Sequence, residues 1–140
     1  SQSIVMYEGE PLPRTAAAVV SSYGFFQDRQ ASLRLTEVDG VAVPGSSNFM
    51  VHEVQVHPGT HKLVYYVLHG LNVYGHYEGY VEIEHDLQSG HTYIPDVEIR
   101  DETDDAKRAV VYLIDKGINY PEECNPGLLL SNKFPKDRCQ

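Results

Sequence analysis

Two-residue alternation, broken repeatedly by tight-turn dipeptides, is the property of this sequence that most narrows its possible folds. From Tyr77 to His85 the side chains change character residue by residue, with Val81 and Ile83 on one side and Glu82 and Glu84 on the other. That period belongs to a strand, because helical faces repeat every 3.6 residues. Ser32 to Val38 sets Leu33 and Leu35 against Arg34 and Thr36, and Met50 to Val56 sets Met50, His52, Val54 and Val56 against Glu53 and Gln55. His61 to Leu68 is rich in Val and Tyr, residues that fit a pleated, half-buried surface. Reversal signals lie between these runs. Asp39-Gly40, flanked by Val38 and Val41, suits a two-residue hairpin whose turn positions both need positive φ. Pro58-Gly59 suits a type II turn, and Ser89-Gly90 supplies another break.

Three further runs complete the pattern. Ala16 to Ser21 is small and apolar. His91 to Ile99 contains Pro95, which lacks a ladder donor and so predicts an edge or a bulge. Arg108 to Ile114 is apolar on both faces, which predicts a strand covered on each side. Glu102 to Arg108 is the one helical option, long enough for a single turn. About seven strands without sustained helical periodicity predict an all-β fold, an antiparallel β-sandwich of immunoglobulin- or transthyretin-like type. The expected division is an extended lead-in over 1–15, the sandwich over 16–115 and an irregular tail over 116–140.

The tail holds both cysteines, Cys124 and Cys139. Bridged to each other they close a loop of about 16 residues, worth ~3 kcal/mol in the chain-entropy model. The turn-rich composition of that loop, with Asn125-Pro126-Gly127 and Phe134-Pro135, favours a clip over two free thiols. A clip implies an oxidising compartment. The 11 Lys and Arg against 20 Asp and Glu leave a formal net charge of -9, which argues against nucleic acid or anionic membrane as a partner. The apolar run from Ala109 to Ile114 is far short of the ~20 residues a membrane helix requires. The sequence starts at Ser1 without a Met, so a processed or truncated start is expected, which leaves room for a removed targeting segment.

Seven histidines raise the possibility of a metal, and His57 and His61, which flank the Pro58-Gly59 turn, are the pair close in sequence. Two ligands do not make a zinc centre, so a third such as His91 or Glu53 is required. The simpler expectation is that both rings cap turn carbonyls and that no cofactor is bound. Asp101, Glu102, Asp104 and Asp105 gather ahead of the last strand, with Lys107 and Arg108 placed to offset part of their charge. Six tyrosines fall between Tyr65 and Tyr93, and His69 to Tyr77 interleaves Tyr with Gly, Asn and His. Loops of that composition present rigid rings beside adaptable polar groups, as protein-binding loops do. Asn72, Tyr74, His76 and Tyr77 are therefore candidates for partner contact, together with the four acids from Asp101 to Asp105. For Tyr65, Tyr66 and Tyr80, cross-strand pairing within a sheet is the better expectation. No nucleophile-elbow motif is present, and no catalytic residue is nominated.

Tyr7-Glu8-Gly9 with Leu12-Pro13, the Ala16 to Val20 strand, Val38-Asp39-Gly40, Val56-His57-Pro58-Gly59-Thr60-His61-Lys62-Leu63-Val64 and Gly90-His91-Thr92-Tyr93 occur in that order. This string resembles a widespread group of small, largely uncharacterised bacterial envelope lipoproteins with a β-sandwich mature domain. The resemblance covers about residues 7 to 99 and leaves out the cysteine-containing tail. It implies a non-enzymatic periplasmic domain, anchored to the outer membrane by a lipidated Cys upstream of Ser1. It carries no catalytic residues. The expected role is contact with another protein. A narrower alternative is an immunity protein whose 69–77 or 101–105 loop enters the basic active-site groove of a secreted cell-wall-degrading effector. The third is a histidine-based metal-binding module.

Overall fold

The computed structural model describes residues 2–48, 50–72, 75–103, 106–129 and 139, with backbone alone for 48, 71, 72, 75 and 129. Its strands are β1 (Gln2–Val5), β2 (Ala18–Ser21), β3 (Tyr23–Phe26), β4 (Ala31–Val38), β5 (Val41–Ala42), β6 (Val51–Val56), β7 (Gly59–Asn72), β8 (Gly75–Leu87), β9 (His91–Thr103) and β10 (Ala106–Ile118). One short helix, α1 (Pro126–Leu129), follows them. The first sheet runs β1-β6-β2-β9-β10, and the second runs β3-β4-β7-β8 with β5 on the end of β4. The all-β sandwich expected from the alternation is what forms.

Two features go beyond that expectation. The strand count among the described residues is ten, because the lead-in pairs as β1, Tyr23–Phe26 forms β3 just past Ser22, and Val41–Ala42 forms β5 after the Asp39-Gly40 turn. Ser22 is where the chain passes between layers: its amide donates to His52 O at 3.0 Å in the first sheet, while its carbonyl accepts from Leu35 N at 2.8 Å in the second. The first sheet is also mixed, since β1 lies parallel to β6 and β2 parallel to β9.

The core lies between the layers. The first sheet contributes Val20, Val54, Val56, Tyr93 and Val97, and the second Leu33, Leu35, Leu63, Tyr65 and Val67. These are the inward positions of the period-two pattern, and burying them is the main stabilising term. Tyr65 is fully buried but keeps its hydroxyl satisfied by donating to Ser21 O at 3.0 Å; burial pushes its phenol far above the usual tyrosine range.

The turn dipeptides behave as their chemistry requires. Asp39 and Gly40 take φ of 51° and 81°, and Val38 pairs with Val41 across them. Pro58-Gly59 and Ser89-Gly90 do something the sequence did not reveal: each carries the chain from one sheet to the other.

Three expectations are corrected. Glu102 and Lys107 do not lie in a helical turn, since β9 extends to Thr103 and β10 begins at Ala106. β10 is not covered on both sides. It ends the first sheet, and Tyr112, Ile114 and Ile118 on it are exposed, so its apolar run packs only through the face bearing Val111. The third concerns Glu53, expected on an outward face, which is fully buried because the lead-in and the segment after β10 cover the outside of the first sheet. Pro95 fits the edge reading: β2 pairs with β9 only at Thr92 and Tyr93, so beyond them one side of β9 has no sheet partner among the described residues.

The tail is clipped as expected, Cys124 to Cys139, with Cα atoms 5.2 Å apart. Cys124 and Asn125 are buried, and Ser21 Oγ donates to Asn125 Oδ1 at 3.2 Å, which docks the tail against β2.

Candidate binding end

In the two longest hairpins, β7–β8 and β9–β10, the last residues of β7 and β9 and the first of β8 and β10 lie at the same end of the sandwich. Their register brings together residues far apart in sequence. His69 pairs with Tyr77 across the first hairpin, with ring centroids 6.2 Å apart. From the second hairpin, Lys107 places its ammonium 5.5 Å from the centre of the Tyr77 ring and donates to Asp101 at 2.7 Å. That hydrogen bond holds the Asp101 carboxyl below the usual carboxylate range and Lys107 above the usual lysine range. Between the two hairpins lies a cleft of about 140 Å³, lined by Val67, Tyr77, Tyr80, Ile99, Lys107 and Ala109 among others. Its floor is apolar and its rim aromatic and charged, a combination suited to an anchor side chain from a partner.

Each nominated contact residue can be placed against this end. Tyr77 is 41% exposed and central to it. His76 is exposed and lies 3.7 Å from Glu78. Asn72 ends β7. Asp101 and Glu102 are exposed at the end of β9, but both face cations: Asp101 faces Lys107, and Glu102 lies 4.0 Å from Arg108. Tyr74, Asp104 and Asp105 lie outside the described residues. Tyr66 and Tyr80 form the expected cross-strand pair at 5.3 Å, and a hydrogen bond to Glu78 raises the Tyr66 phenol. Tyr80 is nonetheless 69% exposed, so the surface reaches farther along β8 than the loop composition indicated.

His57 and His61 sit at the opposite end of β7. His61 faces Asp39 Oδ2 through Nδ1 and His57 O through Nε2, each at 2.6 Å. His57 reaches Glu8 O at 3.3 Å and packs its ring 4.4 Å from that of Tyr7. Both rings cap carbonyls as the simpler expectation had it, and His91 faces Asp115 at 2.9 Å instead of joining them.

A third centre escaped sequence reading. Around β6, His52, Glu53 and Glu122 bring ligand-type atoms within 4.8 Å of one another. Arg14 takes both oxygens of Glu53, through its second nitrogen at 2.9 Å, and Ser3 Oγ donates to the same carboxylate at 2.7 Å. Arg14 also lies 3.4 Å from Glu122. A cation would have to displace the guanidinium, so the cluster is best described as an ion-pair network tying the lead-in and the tail to β6. Alternation along β6 could have flagged Glu53 only if the cover over that face were known.

A scan of protein-family models, a search of curated proteins and a search of solved structures each find no match to this chain.

Proposed function

We propose that this chain is a non-enzymatic cell-envelope domain that works by holding another protein at the shared end of its two long hairpins. The observation that carries the proposal is the position of Tyr77, bridged by Lys107 from the other hairpin and bordering the apolar cleft. An exposed aromatic held rigidly beside a desolvated pocket is the usual form of an interface anchor. The Cys124–Cys139 bridge supports an oxidising compartment, in keeping with a periplasmic, lipid-anchored protein. The non-enzymatic part rests on the resemblance to envelope lipoproteins, which brings no catalytic residues with it.

The immunity-protein alternative finds support along β8, where the exposed side chains of Glu82, Glu84 and Asp86 form an acidic row able to steer a basic groove. Its 101–105 loop is less suited, since Asp101 and Glu102 already face cations. The test is affinity for the partner recovered from the native periplasm. Tyr77→Ala is expected to weaken binding by about 2 kcal/mol while leaving the unfolding midpoint unchanged. Unaltered affinity would remove Tyr77 from the interface.

A further inference from the structure

We infer that the open half of the β8 edge, from Glu82 to Leu87 with Tyr80 at its head, docks an extended cationic segment of the partner as an added strand. The inference deepens the protein-contact reading and rests on it. β8 is the last strand of its sheet, so its outer side has no ladder partner among the described residues. β10 comes beside it near the hairpin tips, where Lys107, Arg108 and Ala109 share the cleft with Tyr77 and Val81. Strand addition to such an edge takes its affinity from backbone hydrogen bonds and its selectivity from alternate side chains.

The side chains state what those alternates are. Glu82, Glu84 and Asp86 are consecutive outward positions, all exposed, and none has an ion-pair partner among the described residues. Lys62 stands opposite Glu84 in the register without closing a salt bridge. Like charges at alternate positions of one strand lie roughly 7 Å apart and repel. Positive groups repeating with the same two-residue period on an added strand would relieve that repulsion.

Tyr80 points to the same chemistry independently. Its cross-strand neighbour Tyr66 already seats a guanidinium of this chain, with Arg34 5.0 Å above the ring. Tyr80, 5.3 Å from Tyr66 and 69% exposed, presents the adjoining ring with no cation over it among the described residues. An aromatic face beside carboxylates is a cation-recognition surface. A second copy of β8 would set acid against acid, and a neutral strand would leave the row uncompensated.

The test titrates the full, isotope-labelled chain with three seven-residue peptides: alternating Arg and Val, alternating Glu and Val, and the Arg-Val peptide N-methylated at every second amide. The Arg-Val peptide is expected to shift and protect the amides of β8, with affinity that falls as salt rises. The E82K/E84K double variant should lose about tenfold in affinity while melting with the wild type, and N-methylation should cost at least as much. Equal binding of the acidic peptide, indifference to N-methylation, indifference to E82K/E84K, or no binding at all would each overturn the inference. If the native partner still binds in a Tyr77-dependent way after any of those results, the β8 inference falls and the protein-contact reading stands.

Discussion

At the scale of single residues, Glu53 departs furthest from what its neighbours in sequence suggest. It is a carboxylate with no exposed surface, held by Arg14, whose side chain is 31% exposed. Removing one partner of a buried ion pair leaves an uncompensated charge, so Arg14→Met is expected to destabilise the fold by about 3 kcal/mol. Replacing both, as R14M/E53L, should cost less than the single change, and urea denaturation of the two variants checks the order. Asp39 offers a pH signature. Burial would raise its carboxyl, but the amide of Lys62 and the ring of His61 together hold it below the usual value. A carboxyl depressed in the folded state contributes stability above its unfolded pKa and loses that contribution as pH falls through the folded one. Asp39→Asn keeps a residue that tolerates positive φ, so wild type should exceed it by a few tenths of a kcal/mol at neutral pH. The difference should shrink as pH falls below the ordinary aspartate range, which parallel melts check.

Among the elements, strand and turn chemistry was readable because it is local. Leu33, Leu35, Val81 and Ile83 carry their own period, and Asp39-Gly40 its own geometry. What connects to what was not local. Nothing in Pro58-Gly59 or Ser89-Gly90 says that the chain changes sheets there, because a turn fixes the angle of a reversal but not which layer offers the next free edge. The apolar run at Val110 to Ile114 was misleading for a related reason: hydrophobicity on both faces reads as burial, whereas here the outer face of an edge strand is simply exposed. Gly90 shows how tightly one crossover is packed. Its φ is 78°, and a Cβ built there would lie 2.6 Å from Thr15 O. Gly90→Ala should therefore cost about 2 kcal/mol, from backbone strain and the displaced lead-in. Gly40→Ala, with similar φ but open space around it, should cost less in the same thermal melts.

For the whole molecule, two stacked layers leave one end and one edge as the proposed contact surface. The candidate residues are partly legible: loop composition points to Tyr77 and the acidic run to Asp101, and each of the two contacts Lys107, which the sequence presents only as a neutralising charge. Its role depends on the starts of β8 and β10 coming together, a property of topology that no window of sequence contains. A photo-crosslinking residue placed in turn at position 77 and at position 41 tests the account most directly in the native cell. Val41 is 60% exposed beside the turn at the other end of the sandwich. The account predicts one discrete crosslinked protein from position 77 and none from position 41. Capture of the same species from both positions, or from position 41 alone, would contradict it.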